Sequence, residues 1–351
     1  MNLRFCTHLI VPLHAKINIM RILITGASGF IGSFIVEEAL RRGFETWAAV
    51  RKSSSKAFLQ DERIHFIELD FSSQEKLEAQ LKDHPFDYVV HAAGVTKCLN
   101  TEDFYRVNTE GTQHFVRALL ALNIPLKRFV YISSLSIMGA IREQQPYEEI
   151  RETDEAKPNT AYGKSKLAAE QWLEGMKDTP LPYVILRPTG VYGPRERDYF
   201  LQIQSIKNHM DFAVGFQRQD ITFVYVTDVV QAVFLALEKG KTGRKYFLSD
   251  GEVYQSSEFS DLVHEALGKP WWIRVTAPVW LLRIITKVGD WWGRKTGKMT
   301  ALNNDKFNIL RQRNWRCDIQ PARDELGYEP QVKLAEGVRR SIQWYQEHHW
   351  L

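Results

Sequence analysis

Cysteine is scarce in the 351-residue sequence, and the three cysteines present, Cys6, Cys98 and Cys317, lie far apart. No CxxC pair occurs, and none of the ten histidines stands at a metal-ligand spacing. The sequence therefore predicts neither a disulfide framework nor a metal site. Scattered thiols are typical of a reducing compartment, so a cytoplasmic protein is expected.

Long apolar runs and blocks of like charge are also missing. No uninterrupted apolar stretch approaches the ~20 residues that a membrane-spanning helix needs. The net charge is only +4, without a Lys/Arg-rich block, which argues against a dedicated nucleic-acid binder and leaves a small molecule as the expected partner. The apolar content of 44% is enough for a full-sized core, and the length favours one large domain or two closely packed ones.

The stretch around which the chain is organised is residues 21–32, RILITGASGFIG. Its pattern predicts a buried strand, a glycine turn and the start of a helix. Gly26 permits a tight turn, Gly29 lets a pyrophosphate approach the backbone, and Gly32 lets the helix pack closely on the strand. The free N–H groups at the helix N-terminus favour phosphate binding, so we predict a dinucleotide site here.

The choice of dinucleotide depends on the end of the predicted second strand, residues 45–50. NAD sites usually carry an acidic residue there for the ribose hydroxyls, whereas this sequence has Arg51 and Lys52 followed by three serines. Positive charge suits a 2′-phosphate, so NADP is predicted, with NAD as the alternative cofactor. Alternatively, this segment is a solvated basic loop with no role in binding. Asp70, after the third strand, is expected either to accept a hydrogen bond from the adenine amine or to cap the next helix.

Strands and helices alternate over the first 190 residues, which predicts an α/β fold: a Rossmann-type doubly wound parallel sheet with a smaller, mostly helical C-terminal lid. The expected divisions are a disordered extension at 1–19, a dinucleotide-binding domain at 20–190 with a return segment at about 223–250, and a substrate-binding lid at 191–222 and 251–351.

Three residues form a candidate catalytic set. Tyr162 and Lys166 are four apart and share one helix face, and Ser134 follows the fifth strand. A phenol with a pKa of ~10 is too weak an acid to ionise near neutrality, but a neighbouring lysine ammonium lowers that value. Tyr162 is then the acid/base for a hydride transfer at a carbinol carbon, Ser134 orients the oxygen, and Lys166 also binds ribose hydroxyls.

Six motifs occur in order at residues 25–32, 91–94, 133–139, 162–166, 186–194 and 223–230: TGASGFIG, HAAG, SSLSIMG, YGKSK, LRPTGVYGP and FVYVTDVV. Together they resemble the extended short-chain dehydrogenase/reductase family, which includes the NAD(P)-dependent epimerase/dehydratases. The resemblance implies the Ser–Tyr–Lys roles given above and places Pro188 against the nicotinamide. Asn108, in the helix predicted at 104–122, is expected either to face water or to point inward, where it would hold a water molecule near the lysine. The predicted cofactor-binding residues are Gly26, Ser28, Gly29, Phe30, Ile31, Gly32, Arg51, Lys52, Asp70, Phe71, Ala92, Ala93, Gly94, Asn108, Tyr162, Lys166 and Pro188.

The substrate class needs separate evidence, because the family is broad. Many nucleotide-sugar members carry an arginine just before the strand at 223, whereas this sequence has Asp220-Ile221-Thr222 there. Arg195 and Arg197 keep a phosphate-binding interpretation open beside that of a salt bridge. Residues 271–292 and the turn at 317–330 resemble the 3β-hydroxysteroid dehydrogenase and dihydroflavonol-reductase-like branch. The expected substrate is therefore a hydrophobic ring alcohol or ketone, with a nucleotide-sugar epimerase or dehydratase as the alternative and an inactive cofactor-binding regulator as a third possibility.

An aromatic and apolar segment at 278–292 adds a further expectation. Leu281, Ile284, Ile285, Val288, Trp291 and Trp292 fall on one face of a predicted helix, and Arg294, Lys295 and Lys298 follow. The bland interpretation is a lid helix packed on the core through that face. The alternatives are an apolar substrate mouth or a peripheral membrane contact. A homodimer is expected by analogy with the family.

Overall fold

The computed structural model describes residues 19–296 and 303–351. Of the predicted N-terminal extension only Ile19 lies in these ranges, and Lys298 lies outside them. None of the described helices is long and apolar enough to cross a membrane. No cluster of potential metal ligands occurs among the described residues.

A seven-stranded parallel sheet forms the centre of the molecule. Its strands are short and nearly all apolar, as expected for strands that are covered on both faces. The strands of the chain are β1 Arg21–Thr25, β2 Glu45–Val50, β3 His65–Glu68, β4 Tyr88–His91, β5 Arg128–Ile132, β6 Tyr183–Pro188, β7 Gly190–Tyr192, β8 Met210–Val214, β9 Asp220–Ile221, β10 Phe223–Tyr225, β11 Lys245–Leu248, β12 Tyr254–Gln255 and β13 Ile273–Ala277. The order in the main sheet is β11-β6-β5-β4-β1-β2-β3.

Helices cover both faces of this sheet. They are α1 Phe30–Arg41, α2 Gln74–Leu81, α3 Thr101–Phe104, α4 Gly111–Ala121, α5 Ala161–Glu174, α6 Asp198–Lys207, α7 Val226–Lys239, α8 Glu258–Ala266, α9 Val279–Thr296, α10 Asn304–Arg311, α11 Gln320–Leu326 and α12 Leu334–Glu347. The core on one face includes side chains of α1, α7 and α11, and the core on the other includes side chains of α2, α4 and α5. A third core joins α6, α8 and α12 in the C-terminal part. The predicted doubly wound α/β fold is therefore confirmed.

The strand order places the point at which the winding direction reverses between β1 and β4. Ligands of open α/β sheets bind at the carboxyl edge beside this point, because the loops after the two strands diverge there. The loops that leave this edge contain Gly26 after β1 and Ala92 after β4. The predicted glycine turn and the HAAG segment are thus neighbours in space.

Several details differ from the sequence-based expectations. Of the expected return segment at 223–250, Lys245–Leu248 joins the main sheet beside β6. Phe223–Tyr225 does not, because it pairs with Gly190–Tyr192 in a separate two-stranded sheet. Two strands outside the main sheet were not predicted: Met210–Val214, which follows α6, pairs with Ile273–Ala277.

Of the three interpretations of residues 278–292, packing on the core through the predicted apolar face is wrong, because α9 packs on the body through a different face. The side of α9 that faces the body consists of Leu282, Thr286 and Gly293, whereas the predicted apolar face is turned to solvent. Val288 and Trp291 are more than half exposed. Periodicity identified the helix correctly, but it could not show which face is covered.

Candidate active site

The glycine turn after β1 is shaped by close contacts that leave no room for side chains. Gly26 has φ +67°, and a Cβ there would stand 2.6 Å from the Ala92 carbonyl oxygen. A Cβ on Gly32 would overlap the Gly26 carbonyl. Gly29 caps α1, and its N–H donates to the Gly26 carbonyl at 2.9 Å. The turn therefore needs glycine at positions 26 and 32, and Ser28, Phe30 and Ile31 lie at the same helix N-terminus.

The end of β2 is basic and open to solvent. Arg51 and Lys52 are exposed, and the Arg51 N–H donates to Ser54 Oγ at 3.0 Å. Asp70 accepts hydrogen bonds from the Ser72 N–H at 2.9 Å and from Lys76 Nζ at 2.7 Å, and these partners lower its pKa to about 2. Ser73, rather than Asp70, caps α2, so the capping expectation for Asp70 is wrong.

The loop after β4 is fixed by Asn108, which lies in a π-helical turn, Tyr105–Glu110, between α3 and α4. Its side-chain amide accepts from the Val95 N–H at 2.8 Å and donates to the Val95 carbonyl and Ser165 Oγ, both at 3.0 Å. A Cβ on Gly94 would come within 3.1 Å of Asn108 Oδ1 and 3.9 Å of Lys166 Nζ. Asn108 thus points inward and connects the Ala92, Ala93 and Gly94 loop to α5. The helical pattern gave no sign of the π turn that aims it.

A buried histidine supports the same edge of the sheet. His91 Nδ1 is 2.8 Å from Thr25 Oγ1, and its Nε2 is 3.0 Å from Thr112 Oγ1. Burial, together with the positive charge of Lys166, lowers the pKa of His91 to about 3, so the ring is neutral at physiological pH. Phe71 packs against this ring. His91 therefore joins β1, β4 and α4 as a neutral hydrogen-bonding group.

The three predicted catalytic residues come together beside this loop. Ser134 caps the 3₁₀ turn Leu135–Ile137, and its hydroxyl lies beside the Tyr162 phenol. Tyr162 is in the first turn of α5, and Lys166 is one turn further on, where its Nζ donates to the Ile132 carbonyl at 2.6 Å. Thr160 caps α5 by accepting from the Gly163 N–H, which fixes where the helix begins.

The charges in the site do not show the expected activation of the phenol. Burial raises the pKa of Tyr162 to about 12, against a smaller lowering by the Ser134 hydroxyl. Burial lowers the pKa of Lys166 to about 7, partly offset by the negative charge of Glu170. Lys166 lies over the Tyr131 ring at 4.2 Å and is held by Ile132, so its charge does not lower the pKa of Tyr162 in this arrangement.

Glu170 and Arg187 form a buried ion pair behind the lysine that the sequence reasoning missed. Their side chains are 0% and 4% exposed, and Arg187 Nε is 3.1 Å from Glu170 Oε2. Glu170 follows Lys166 by four residues, so it lies on the same face of α5 as Tyr162 and Lys166. The spacing Tyr162, Lys166, Glu170 was therefore readable from the sequence, but the partner on β6 was not.

The C-terminal part of the chain, which is the predicted lid, also reaches the first turn of α5. The Asp305 carboxylate, on α10, accepts from the Ala161 N–H at 2.9 Å and the Tyr162 N–H at 3.4 Å. Asn308 on the same helix donates to the Asn159 carbonyl at 2.7 Å. A carboxylate beside free N–H groups and the positive end of a helix is a favourable arrangement. No local pattern around Asp305 pointed to this contact, which joins segments more than 140 residues apart.

Two further predicted residues have clear positions. Pro188 is the buried last residue of β6, at the same sheet edge, next to β11. Arg195 is occupied elsewhere: its guanidinium lies over the rings of Phe34 at 4.2 Å and Phe58 at 4.6 Å and pairs with Glu37 at 2.6 Å. The salt-bridge interpretation of Arg195 therefore holds, because its guanidinium is already committed to these groups.

A dinucleotide fits this edge, because Gly26 and Gly32 let the turn, the loop after β4 and α1 pack closely together, and the N-terminus of α1 offers N–H groups to phosphates. The fold and this site define a dinucleotide-binding enzyme of the short-chain dehydrogenase/reductase type. The chain belongs to the NAD dependent epimerase/dehydratase family, whose model matches residues 22–249. The resemblance that the motifs indicated is confirmed.

The chain is similar over nearly its whole length to members with different substrates. UDP-glucose 4-epimerase of Vibrio cholerae is 27% identical over 334 residues, which cover 92% of this chain and 94% of that protein. The 3-beta-hydroxysteroid dehydrogenase of Mycolicibacterium neoaurum is 26% identical, over 93% of this chain and 91% of that protein. The crystal structure of dTDP-glucose 4,6-dehydratase from Streptomyces venezuelae with NAD bound has a TM-score of 0.77 at 22% identity, and the match covers 94% of this chain and 98% of that one.

Proposed function

We propose that this enzyme interconverts a secondary alcohol and a ketone on a hydrophobic ring substrate, steroid-like or polyphenol-like, with NADP as the hydride carrier. Tyr162 exchanges the proton of the substrate oxygen, Ser134 orients that oxygen, and Lys166 binds ribose hydroxyls. The nicotinamide, when bound, supplies or accepts the hydride. The observation that carries the proposal is the Ser134 hydroxyl beside the Tyr162 phenol, with Lys166 Nζ one helical turn further on and close to Gly94.

The charge of Lys166 has a defined task in this chemistry. With a pKa of about 7, the ammonium is present in part at neutral pH and is held 2.6 Å from the Ile132 carbonyl. Transfer of a proton from Tyr162 requires that the phenolate be stabilised by a positive charge that is closer than Lys166 is now. A shift of the lysine side chain from the Ile132 carbonyl toward the phenol provides that charge without moving α5.

The preference for NADP rests on Arg51 and Lys52, which present exposed positive charge where a ribose phosphate is expected. Arg51→Asp should weaken the binding of NADPH far more than that of NADH, measured by fluorescence titration. Arg63→Asp is the matched control, because Arg63 is an exposed arginine that already pairs with Asp61. Equal losses for the two dinucleotides in Arg51→Asp would refute the assignment of NADP.

A ring substrate is favoured over a nucleotide sugar by two observations. The guanidinium of Arg195 is committed to Glu37 and two aromatic rings, so it offers little to a diphosphate. A cleft of about 470 Å³ lies between the C-terminal part and the segment that begins at Ala140, and Ser134, Tyr162 and Lys166 are not among the residues that line it. Apolar side chains contribute much of its lining, among them Ala140, Val214, Phe216, Pro278, Val279 and Leu310.

The nucleotide-sugar epimerase or dehydratase remains the second candidate, supported by the family and by the relatives that act on such sugars. The nucleotide retained by the protein distinguishes the two. Protein purified without added cofactor is denatured, and any released nucleotide is identified by chromatography. Tightly held NAD favours an internal redox cycle on a sugar. Empty protein that then prefers NADPH favours an exchanging dehydrogenase, for which ring ketones are the first substrates to screen.

A regulator that binds the cofactor without catalysis is the third candidate. Tyr162→Phe removes the proton-transferring hydroxyl and leaves the ring, so it should abolish turnover while dinucleotide binding persists. An unchanged biological effect of that variant would favour the regulator. A homodimer, expected by analogy with the family, completes the proposal.

A further inference from the structure

Two neighbouring elements of the lid turn their apolar faces outward. On α9, the residues that face the body are Leu282, Thr286 and Gly293, whereas Trp280 is 66% and Trp291 59% exposed. An amphipathic helix of a globular protein normally buries its large apolar residues and exposes its small or polar ones. On this helix most of the large apolar side chains are exposed, although Leu282 is buried, whereas Thr286 and Gly293 face the body.

The two-stranded ribbon of β8 and β13 is reversed in the same way. Phe212 and Val275 are direct partners across the ribbon, and their side chains are 63% and 40% exposed. The opposite face carries Asp211, which is 2% exposed and accepts from Arg274 Nε at 2.6 Å and from Ser260 Oγ at 2.8 Å. A ribbon with its ion pair inside and its apolar face outside is not explained by its own packing.

The two elements are joined at one point. Pro278 alone separates β13 from α9, and the Gly215 N–H donates to the Ala277 carbonyl at 2.9 Å. A Cβ on Gly215 would contact Val279, the first residue of α9, at 3.4 Å. We define the lid surface as Phe212, Ile273, Val275, Trp280, Ile284, Val288 and Trp291. Exposed apolar areas of this kind on a folded protein mark a docking surface.

The charges around the lid surface indicate what docks there. Arg283, Lys287 and Lys295 are exposed on α9, and Lys295 lies over the Trp291 ring at 5.2 Å. On a helical projection Arg283 and Lys287 form a basic sector along one side of the apolar sector. The acidic residue of the helix, Asp290, accepts from the Asn304 N–H at 3.1 Å. The exposed charge beside the apolar sector is therefore positive.

We propose that the lid surface docks on a lipid bilayer with anionic headgroups, with α9 lying in the plane of the interface. Tryptophan side chains suit the boundary between headgroups and acyl chains, and basic residues beside them meet the phosphates. Interfaces between proteins instead deplete lysine from the apolar centre, whereas Lys295 lies within the apolar sector here.

This surface lies at the mouth of the cleft described above, since Val214, Phe216, Pro278 and Val279 line the cleft and adjoin the ribbon or α9. A docked enzyme therefore opens its cleft toward the bilayer. If the substrate of the proposed function enters through this cleft, it should be one that dissolves in the membrane. The docking itself does not depend on that substrate.

The test is binding of the full-length protein to vesicles, measured by flotation. Vesicles of phosphatidylcholine with phosphatidylglycerol should bind it, and vesicles of phosphatidylcholine alone should bind it more weakly. Trp291→Glu should lower the partition coefficient at least about tenfold. It removes an aromatic side chain that docking would bury in the bilayer, and it adds a negative charge that the anionic headgroups repel. Leu201→Glu is the matched control: Leu201 is 55% exposed on α6, outside the lid surface, and its replacement should leave the partition coefficient unchanged.

A second pair of variants tests the basic sector. Arg283→Gln and Lys287→Gln should each lower binding to the anionic vesicles about fivefold and leave binding to neutral vesicles unchanged. The circular dichroism of each variant establishes that it is folded. Reduction of a steroid-like ring ketone added in solution without vesicles reports separately on the proposed function, and it should be the same in Trp291→Glu as in the wild type.

Three outcomes would overturn the docking proposal. One is wild-type protein that does not float with anionic vesicles. Another is equal loss of binding in Trp291→Glu and Leu201→Glu. The third is a wild-type dimer that Trp291→Glu converts to a monomer without any vesicle binding, which would show that a second copy covers the surface. Vesicle binding without any oxidoreductase activity would refute the proposed function and leave the docking intact.

Discussion

The buried pair of Glu170 and Arg187 allows a sharp test, because α5 carries a second glutamate one turn further on. Glu170 is fully buried against Arg187, whereas Glu174 is 41% exposed and pairs with Lys245 at 2.7 Å. We predict that Glu170→Gln lowers the free energy of unfolding by about 3 kcal/mol, because it leaves the Arg187 guanidinium buried with its charge uncompensated. Glu174→Gln should change it by less than about 0.5 kcal/mol.

The assay is urea unfolding followed by circular dichroism. With an m-value of about 3 kcal/mol per molar urea, Glu170→Gln should move the midpoint down by roughly 1 M, and Glu174→Gln should leave it nearly unchanged. The lower end of the range known for broken buried pairs is expected, because the glutamine oxygen still accepts one hydrogen bond from Arg187. Equal midpoints for the two variants would refute the reasoning, since they would mean that burial of the pair has no energetic consequence.

Three further predictions concern the same site. First, Lys166 has a pKa of about 7 in the folded chain against 10.5 when unfolded. Between these values the unfolded state binds one proton more than the folded state. The free energy of unfolding should therefore rise with pH, by up to about 1.4 kcal/mol per pH unit from about pH 7 to 8.5. Lys166→Met should remove that slope, and a persisting slope would assign it to another group. Second, Gly26→Ala should abolish dinucleotide binding and lower the free energy of unfolding by several times the ~1 kcal/mol expected for Gly43→Ala. Both glycines have positive φ, but a Cβ on Gly43 meets nothing within 4 Å, whereas one on Gly26 meets the Ala92 backbone. Similar unfolding midpoints for the two variants would show that this contact at Gly26 has no effect. Third, Asp305→Ala should lower the free energy of unfolding by about 1–2 kcal/mol and should lower kcat more than it weakens dinucleotide binding. Asp324→Ala, on the exposed side of α11, should do neither. Wild-type kcat in Asp305→Ala would show that this carboxylate does not position Tyr162.

Much of the sheet could be predicted from the sequence, because each of its strands is a short apolar run bounded by turn residues. The glycine turn was equally readable, since Gly26 and Gly32 are needed for contacts within a few residues or with the next strand. Periodicity failed where a distant partner decides the outcome. It identified α9 but not its orientation, which depends on what the rest of the lid offers to Leu282 and Thr286.

In the candidate site, too, some residues could be predicted from local patterns, whereas contacts between distant segments could not. Ser134, Tyr162 and Lys166 were readable because two of them are one helical turn apart and the third follows a strand. The raised pKa of Tyr162 was not readable, because it depends on burial and on Lys166 being held by the Ile132 carbonyl. The role of Asn108 depends on a π turn that the sequence pattern does not reveal, and Asp305 acts across more than 140 residues.

The contact from Asp305 to the start of α5 also limits how this enzyme can be recombined with its relatives. The first turn of the catalytic helix receives one of its hydrogen-bond acceptors from the lid, so the lid and the dinucleotide-binding part do not form interchangeable modules. A chimera that exchanges the C-terminal segment to change substrate range would leave two N–H groups beside Tyr162 without their acceptor, unless the new segment brings a carboxylate to the same place. Diversification of substrate range on this scaffold is therefore expected to proceed by changes around Asp305 that keep it.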